Sequence, residues 1–258
     1  MAVTELPSDG LPRLVAIMAR LRDRQAGCEW DVAQTFETIA PYTIEEAYEV
    51  ADAIARDDMD ALADELGDLQ LQVVFHAQMA EEAGEFTLED VIARICDKME
   101  RRHPHIFGDA EHGGHHLWEK IKAEERAASP DKSALAGVAL ALPALERAAK
   151  LQRRAARVGF DWPDKSGPRA KIDEELAELD AEDEHPRMLE ELGDLLFAVV
   201  NLARHLNIEP EAALREATRK FEHRFRAIEA APGFAEMSLE EKEDLWAATK
   251  KAQAGSIA

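Results

Sequence analysis

The amino-acid sequence predicts an all-α protein built from two tandem helical domains. Long stretches consist mainly of Ala, Leu, Glu and Arg, while aromatic residues make up 6% of the chain and Gly and Pro are sparse. One acidic stretch also occurs twice, which indicates an old duplication. The 258 residues suffice for two domains of about 130 residues each, a common domain size.

Composition and charge limit the functions to be considered. A hydrophobic content of 46% is enough for a folded core, and a formal net charge of -22 argues against binding to a nucleic acid polymer. Cys28 and Cys96 form no C-x-x-C pair, so the sequence indicates neither a disulfide framework nor a zinc site. We find no signal-peptide pattern and no apolar run of membrane-spanning length. These features predict a cytoplasmic protein with no membrane partner.

The first half of the chain predicts five helices. They run from Leu11 to Arg24, onward from Thr43, from about Asp60 to Glu82, from Thr87 to about Arg102, and from Leu117 to Ala127. Thr43 with Glu46 three residues later has the pattern of a capping box. Ser129 to Ser133 resembles a linker, so we predict domains at 1–130 and 131–258.

The second half repeats this order. A helix from Leu145 to Val158 is followed by two acidic helices, a helix from Ala213 to Ile228, and a last helix that carries Trp246. The segment Gly159-Phe160-Asp161-Trp162 repeats Gly27-Cys28-Glu29-Trp30. We expect Trp30 and Trp162 to be packing residues that fix this loop, with contact to a nucleotide base as the alternative.

The acidic helices of the second half predict a cation site. Lys171, Glu174, Glu175 and Glu178 share one helix face, and Arg187, Glu191 and Asp194 share a face of the next helix. A short turn makes two helices antiparallel, so their carboxylates are expected to converge. Ligands that are all oxygen favour Mg²⁺, or Mn²⁺, over Zn²⁺ or redox iron. The alternative is a pair of solvated acidic helix faces.

Repetition of the pattern favours the cation site. Around Tyr42 to Asp68 the first half carries a second candidate site, formed by Glu45, Glu46, Glu49, Glu65 and Asp68.

Basic and aromatic residues recur beside both acidic stretches. Lys220 and Arg224 share a helix face in the second half, as Lys98 and Arg102 do in the first, and Trp246 is matched by Trp118. Carboxylates that hold a metal ion, together with Lys and Arg, are what binding of a polyphosphate requires. We expect Trp246 to stack on a base, with core packing as the alternative.

These motifs resemble the MazG family of bacterial nucleoside triphosphate pyrophosphohydrolases. The resemblance rests on EExxE followed by ExxD, on the GCEWD and ERRHPHIFGD segments, and on the tandem arrangement, and it covers essentially the whole chain. EExxE and ExxD alone are shared with the wider all-α NTP pyrophosphatase superfamily. The sequence departs from the family at Glu29, where a proline is usual.

The resemblance implies hydrolysis of NTPs and dNTPs to the monophosphate and pyrophosphate, with broad nucleotide specificity and a role in clearing the nucleotide pool. It implies that Glu174 orients or deprotonates the attacking water. The implied Mg²⁺ ligands are Glu175, Glu178, Glu191 and Asp194. The implied substrate-binding residues are Lys171, Arg187, Lys220, Arg224 and Trp246.

The two halves are not equivalent. Tyr42 stands where the second half has Lys171, and Ala61 stands where it has Arg187. We therefore expect the C-terminal domain to be the main catalytic one and the N-terminal domain to be weakly active or structural.

Two other functions and an oligomeric state complete the expectations. The alternatives are a narrow dUTP or dCTP pyrophosphatase and a non-catalytic acidic helical partner protein. Each half has few helices to bury its apolar faces, so we expect a homodimer in which two chains complete the bundles.

Overall fold

The computed structural model describes residues 6–7, 9–108, 121 and 131–255, and within these residues all regular structure is helical. The chain divides into two compact units, Met1–Glu124 (unit 1) and Glu125–Ala258 (unit 2). The predicted all-α fold with a tandem arrangement is therefore confirmed. The domain boundary near residue 130 stays a prediction, and the expected helix from Leu117 with Trp118 lies outside the described residues.

Unit 1 is organised around one long central helix. Its helices are α1 (Gly10–Leu21), α2 (Glu29–Ala33), α3 (Phe36–Ala55), α4 (Met59–Glu82), α5 (Leu88–Arg102) and the one-turn α6 (Pro104–Phe107). Helices α1, α3 and α5 all pack against α4. The core formed there consists of Met18, Ile39, Val74, Phe75, Ala77, Met79 and Leu88. The apolar half of α4 thus builds the core, while its first turns carry the acidic residues.

The start of α3 corrects the predicted capping box at Thr43. The N-cap is Thr35, whose hydroxyl accepts a hydrogen bond from the Thr38 backbone N–H, while the Thr38 hydroxyl accepts one from the Thr35 N–H. Thr43 lies inside the helix, where its hydroxyl is 3.1 Å from His76 Nε2. Pro41 also lies inside α3 and removes only one helical N–H, so the helix continues through it.

Unit 2 is also organised around one long helix. Its helices are α7 (Ala144–Ala156), α8 (Ser166–Ala181), α9 (His185–His205), α10 (Pro210–Glu229), a 3₁₀ turn (Phe234–Glu236) and α11 (Leu239–Gly255). Helices α7, α8 and α10 pack against α9, and α11 packs against α10. The short α2, α6 and 3₁₀ turn were not predicted, because so few residues carry no periodic signal. No helix within the described ranges combines the length and apolar character needed to cross a bilayer.

The predicted start of α5 at Thr87 is confirmed, and Thr87 caps the helix in a way that can be tested by substitution. The Asp90 backbone N–H donates to the Thr87 hydroxyl at 3.2 Å, and the Thr87 N–H donates to the Asp90 carboxylate at 2.8 Å. We expect Thr87→Ala to destabilise unit 1 by about 1 kcal/mol in denaturant unfolding. Thr218→Ala is the control and should cost almost nothing, because the Thr218 hydroxyl donates back to Leu214 O within α10. Equal losses in both variants would contradict the capping role.

Candidate active site

Three carboxylates of unit 2 converge between α8 and α9. Glu175 and Glu178 come from α8 and Glu191 from α9, and one oxygen of each lies within 4.8 Å of the others. Residues 182–184 join the two helices, so α9 turns back along α8. The pKa of Glu191 is raised, first by burial and then by repulsion from Glu178 and Glu175. An all-oxygen cluster whose charges repel one another fits a hard divalent cation.

Lys171 connects this cluster to its surroundings. Its Nζ lies 2.7 Å from Glu174 Oε1 and 2.6 Å from Glu175 Oε1. Hydrogen bonds to Glu174 and then Glu175 raise the pKa of Lys171, so the ammonium stays charged. The Glu175 side chain is only 4% exposed, whereas that of Glu174 is 55% exposed. Glu175 is therefore a fixed carboxylate inside the site, and Glu174 lies at its edge.

A cavity of about 820 Å³ opens beside the carboxylates, within the size range of small-molecule sites. Lys171, Glu175 and Asp194 line one part of it. The remaining lining residues come from α7, the loop after it, α9 and the segment before α7. They are Leu135, Leu151, Gln152, Ala155, Gly159, Phe160, Asp161, Trp162, Phe197, Ala198, Asn201 and Arg204. Asp194, predicted as a fourth ligand, thus reaches the same cavity as Glu175.

The loop after α7 is held against α9 by an ion pair. Asp161 accepts hydrogen bonds from the Arg204 guanidinium, and His205 Nε2 lies 3.1 Å from its carboxylate. The Arg204 hydrogen bond is the main cause of the lowered pKa of Asp161, which therefore remains ionised at neutral pH. Gly159 adopts φ of +85° where the chain leaves the helix. The loop wall of the cavity is therefore fixed before any ligand arrives.

Trp162 lines the cavity, although the sequence favoured a packing role for it. Its ring lies so close to Gly167 that a Cβ at this position would overlap it. Trp162 is 42% exposed, so the same ring packs on the α8 backbone and faces the cavity.

Sequence reasoning missed Gln152, Asn201 and Arg204. Gln152 and Asn201 are buried, and Gln152 Nε2 donates to the Phe197 backbone carbonyl at 2.9 Å. No motif marks these residues. Only the fold brings α7, α9 and the loop together around one cavity.

The other predicted substrate-binding residues lie elsewhere in unit 2. Lys220 and Arg224 are on α10, and the Arg224 guanidinium lies 5.9 Å from the centre of the Trp246 ring on α11. Arg187 is exposed near the start of α9. None of these four residues lines the cavity. Their contacts with phosphate and nucleoside stay predictions.

Unit 1 contains the matching acidic cluster, formed by Glu46, Glu49 and Glu65. The pKa of Glu46 is raised, first by burial and then by its carboxylate neighbours Glu49 and Asp68, and the pKa of Glu65 is raised for the same kinds of reason. Glu45 is exposed on α3, and Lys98 and Arg102 lie on α5.

One of the two replaced cations changes the contacts beside the cluster. Tyr42, at the position that matches Lys171, has its ring 6.2 Å from that of Trp30 in an edge contact. The first cluster therefore has an aromatic pair where the second has an ammonium group bonded to two carboxylates.

Comparison with known proteins agrees with this duplicated geometry. The family model of the MazG nucleotide pyrophosphohydrolase domain matches residues 34–107 and 171–228 of the sequence, which include both acidic clusters. A nucleoside triphosphate pyrophosphohydrolase of Escherichia coli K12 is 51% identical over 93% of this chain and 97% of its own. The nucleoside triphosphate pyrophosphohydrolase/pyrophosphatase MazG of Thermotoga maritima is 51% identical over 84% of each chain. The chain is therefore an enzyme of the MazG family of nucleotide pyrophosphohydrolases.

Proposed function

We propose that unit 2 hydrolyses nucleoside and deoxynucleoside triphosphates to the monophosphate and pyrophosphate in the presence of Mg²⁺. The observation that carries this proposal is the meeting of Glu175, Glu178 and Glu191 beside Lys171 and an open cavity, in a chain of this family. Family membership argues against the non-catalytic partner protein. The converging carboxylates argue against it as well, because such a protein does not need them.

The residues of the site have separate proposed roles in metal binding and phosphate binding. Glu175, Glu178, Glu191 and Asp194 would hold Mg²⁺, or Mn²⁺, which when bound neutralises phosphate charge and lowers the pKa of a bound water. Lys171 would bind phosphate oxygens from the cavity wall, as would Arg187, Lys220 and Arg224.

Glu174 would accept the proton of the attacking water. The water oxygen forms a bond to the α-phosphorus, the bond to the α,β-bridging oxygen breaks, and pyrophosphate leaves. The Glu174 carboxylate is exposed and bonded to Lys171, so it lies within reach of the cavity edge.

Unit 1 is proposed to be weakly active or structural. It keeps the carboxylates of the cluster but has Tyr42 and Ala61 in place of two cations, so it offers less positive charge to a polyphosphate.

A broad nucleotide range fits the proposed site, because its predicted roles concern phosphate and metal. We therefore propose that the protein is a cytoplasmic enzyme that clears unwanted triphosphates from the nucleotide pool. A narrow dUTP or dCTP pyrophosphatase is the second candidate, and the comparison of nucleotides described below separates the two.

A homodimer is proposed because the acidic helix pair leaves apolar side chains in water. Leu189 on α9 is 66% exposed, and Leu176, Met188, Leu192, Leu196 and Val199 are 40–49% exposed. These residues lie on the helices that carry the carboxylates, and such a surface fits a second copy of the chain.

Light scattering should therefore give twice the mass of one chain, and Leu189→Glu should shift the protein toward the mass of a single chain. Leu239→Glu is the matched control, since Leu239 is 72% exposed but lies on α11. A wild-type protein with the mass of one chain would contradict the dimer.

The direct test of function is product analysis. The full chain is incubated with Mg²⁺ and each common NTP and dNTP, and the products are separated by ion-exchange chromatography. Monophosphate and pyrophosphate from many nucleotides are expected. Diphosphate with phosphate would mean attack at the γ-phosphorus and would overturn the proposal, whereas turnover of one nucleotide alone would favour the narrow enzyme.

A further inference from the structure

Helix α8 carries two of the clustered carboxylates, yet most of its length is open to water. Its buried residues are Pro168 and Glu175, and α9 is the helix that it packs against within the described part of unit 2. The carboxylates of Glu175, Glu178 and Glu191, which these two helices bring together, repel one another when no cation is bound. The position of α8 on α9 therefore depends on how its two ends are held.

The two ends of α8 are held in different ways. At the far end, the three-residue connection 182–184 joins α8 directly to α9. The ion pairs of Lys171 do not join the two helices, because their partners Glu174 and Glu175 also belong to α8. The first turn of α8 is instead connected to α9 through the loop that precedes it, residues 157–165.

This loop contains a continuous path of contacts from α9 to the first turn of α8. Two nitrogens of the Arg204 guanidinium, on α9, donate to the two carboxylate oxygens of Asp161, one of them at 2.8 Å. The next residue, Trp162, packs its ring on Gly167 so closely that a Cβ there would overlap it. The Arg204 and Asp161 side chains are only 13% and 23% exposed, and a two-fold hydrogen-bonded pair of this kind fixes the geometry of both groups.

The side of α8 that Trp162 contacts is the side that carries the site. Gly167, Lys171 and Glu175 follow one another at intervals of four residues, so they lie along one side of the helix. Residues on a regular helix keep fixed positions relative to its first turn. Holding Gly167 in place therefore also sets the positions of Lys171 and Glu175 relative to α9.

Unit 1 cannot form this ion pair at the matching positions. Glu29 stands where unit 2 has Asp161, and Gln78, which carries no charge, stands where it has Arg204. The Gln78 amide donates to Glu82 within α4, at 3.3 Å. Both units have an acidic helix pair, so the ion pair is an addition in the unit where we place catalysis.

We propose that Asp161 and Arg204 form a positioning pair, which acts through Trp162 and Gly167 to keep Glu175 of α8 beside the carboxylates of α9 for binding of a divalent cation. This inference rests on the proposed function of unit 2. In this role the pair contacts neither the cation nor the phosphates. It restricts the movement of α8 away from α9 before the cation binds, so that less ordering of the ligands remains to be done on binding.

Binding of Mn²⁺ in the absence of nucleotide tests the proposal. Each full-length protein carries Glu46→Gln, which weakens the cluster of unit 1, so that the titration reports on unit 2. EPR measures the free Mn²⁺ at each point. We expect Asp161→Asn, which keeps the size of the side chain but removes its charge, to raise the Mn²⁺ dissociation constant about tenfold. An unchanged dissociation constant would overturn the proposal.

Glu209→Gln is the matched control, because it makes the same chemical change in another ion pair of unit 2. Glu209 accepts a hydrogen bond from Arg153 at 2.9 Å, and this pair joins α7 to the start of α10 without involving α8. We expect this variant to bind Mn²⁺ as its parent does. Thermal melting shows that the variants are folded at the titration temperature. Equal losses of Mn²⁺ affinity in Asp161→Asn and Glu209→Gln would contradict a specific positioning role.

Gly167→Ala tests the path of contacts with the ion pair intact. Alanine forms helices better than glycine, so helix propensity alone predicts no loss. We expect weaker Mn²⁺ binding nevertheless, because the added Cβ displaces the Trp162 ring. Combined with Asp161→Asn, the loss should be smaller than the product of the two separate losses, since both changes break one path. Unchanged binding in Gly167→Ala, or fully independent losses, would overturn the proposed path.

The two proposals fail in different ways. A wild-type protein that binds no Mn²⁺ would refute the proposed cation site and, with it, the inference. A protein that binds Mn²⁺ equally well with and without the Asp161 carboxylate leaves the proposed function intact and refutes only the positioning role.

Discussion

Glu175→Gln should lower kcat/KM for nucleoside triphosphates by at least about a hundredfold, which is the scale on which changes to metal sites act. The substitution keeps the size of the side chain but removes one charged oxygen from the cluster. Glu175 is the most buried of the three clustered carboxylates and bonds to Lys171 at 2.6 Å. Loss of this one carboxylate therefore weakens the proposed cation site and leaves Lys171 with Glu174 alone.

The matched control is Glu46→Gln, which makes the same chemical change in the cluster of unit 1. We expect this variant to keep most of the activity, because Tyr42 and Ala61 leave that cluster short of positive charge. Initial rates of pyrophosphate release at several nucleotide concentrations measure both variants. The reverse result, an active Glu175→Gln variant and an inactive Glu46→Gln variant, would mean that unit 1 is the catalytic unit.

A third variant separates catalysis from folding. Burial and repulsion by Glu178 and Glu175 raise the pKa of Glu191, so its charge works against the fold when no cation is bound. Glu191→Gln should therefore abolish activity while the metal-free protein melts at the same temperature or higher. A marked loss of thermal stability would contradict this account of the cluster.

The acidic clusters were predictable because they follow from local spacing. Glu175 and Glu178 are three residues apart on one helix, and a three-residue connection brings Glu191 of the next helix opposite them. Helical geometry and chain reversal depend only on nearby sequence. The predicted span of α4, from about Asp60 to Glu82, agrees with the structure for the same reason.

The start of α3 was predicted wrongly, because two stretches of sequence carry the same kind of capping signal. Thr43 with Glu46 matches the common capping-box pattern, whereas the structure uses Thr35 with Thr38. The helix also continues through Pro41, which removes only one helical N–H.

The cavity and its polar residues could not be predicted from sequence patterns. Asp161 and Arg204 are 43 residues apart, and Gln152 and Phe197 are 45 apart. Whether Gln152 lines the cavity depends on how α7, α9 and the loop pack together, and no local spacing reports this. The tertiary fold alone creates this part of the site.

Arg22→Met should destabilise unit 1 by about 3 kcal/mol, since breaking a buried ion pair leaves a charge without its partner. Arg22 is buried at the end of α1 and donates two hydrogen bonds to Glu82 on α4, at 2.9 and 2.8 Å. It also donates to the Asp31 carbonyl, and its guanidinium lies 5.3 Å from the centre of the Phe75 ring. One side chain thus joins α1, α2 and α4. We place the cost near the low end of the range of about 3–5 kcal/mol for a broken buried ion pair, because Glu82 remains 24% exposed to water.

Denaturant unfolding of the full chain measures this loss, with Arg226→Met as the matched control. Arg226 pairs with Glu222 within α10, but the two side chains are 72% and 57% exposed. An exposed pair of this kind contributes less than about 1 kcal/mol. If the two variants lost equal stability, burial of the Arg22 pair would not be what stabilises unit 1.

The pH dependence of the difference in unfolding free energy between wild type and Arg22→Met identifies the ionic part of that difference. The Arg22 hydrogen bond is the main cause of the lowered pKa of Glu82, whose ordinary value is 4.5. A carboxyl whose pKa is lowered by folding stabilises the fold above its unfolded pKa, and this contribution is lost as the pH falls through the folded pKa. The difference between wild type and Arg22→Met should therefore be full at pH 7 and shrink below pH 4.5. Other acidic groups titrate alike in both proteins and cancel, so a difference that stays constant with pH would assign the loss to packing around Phe75.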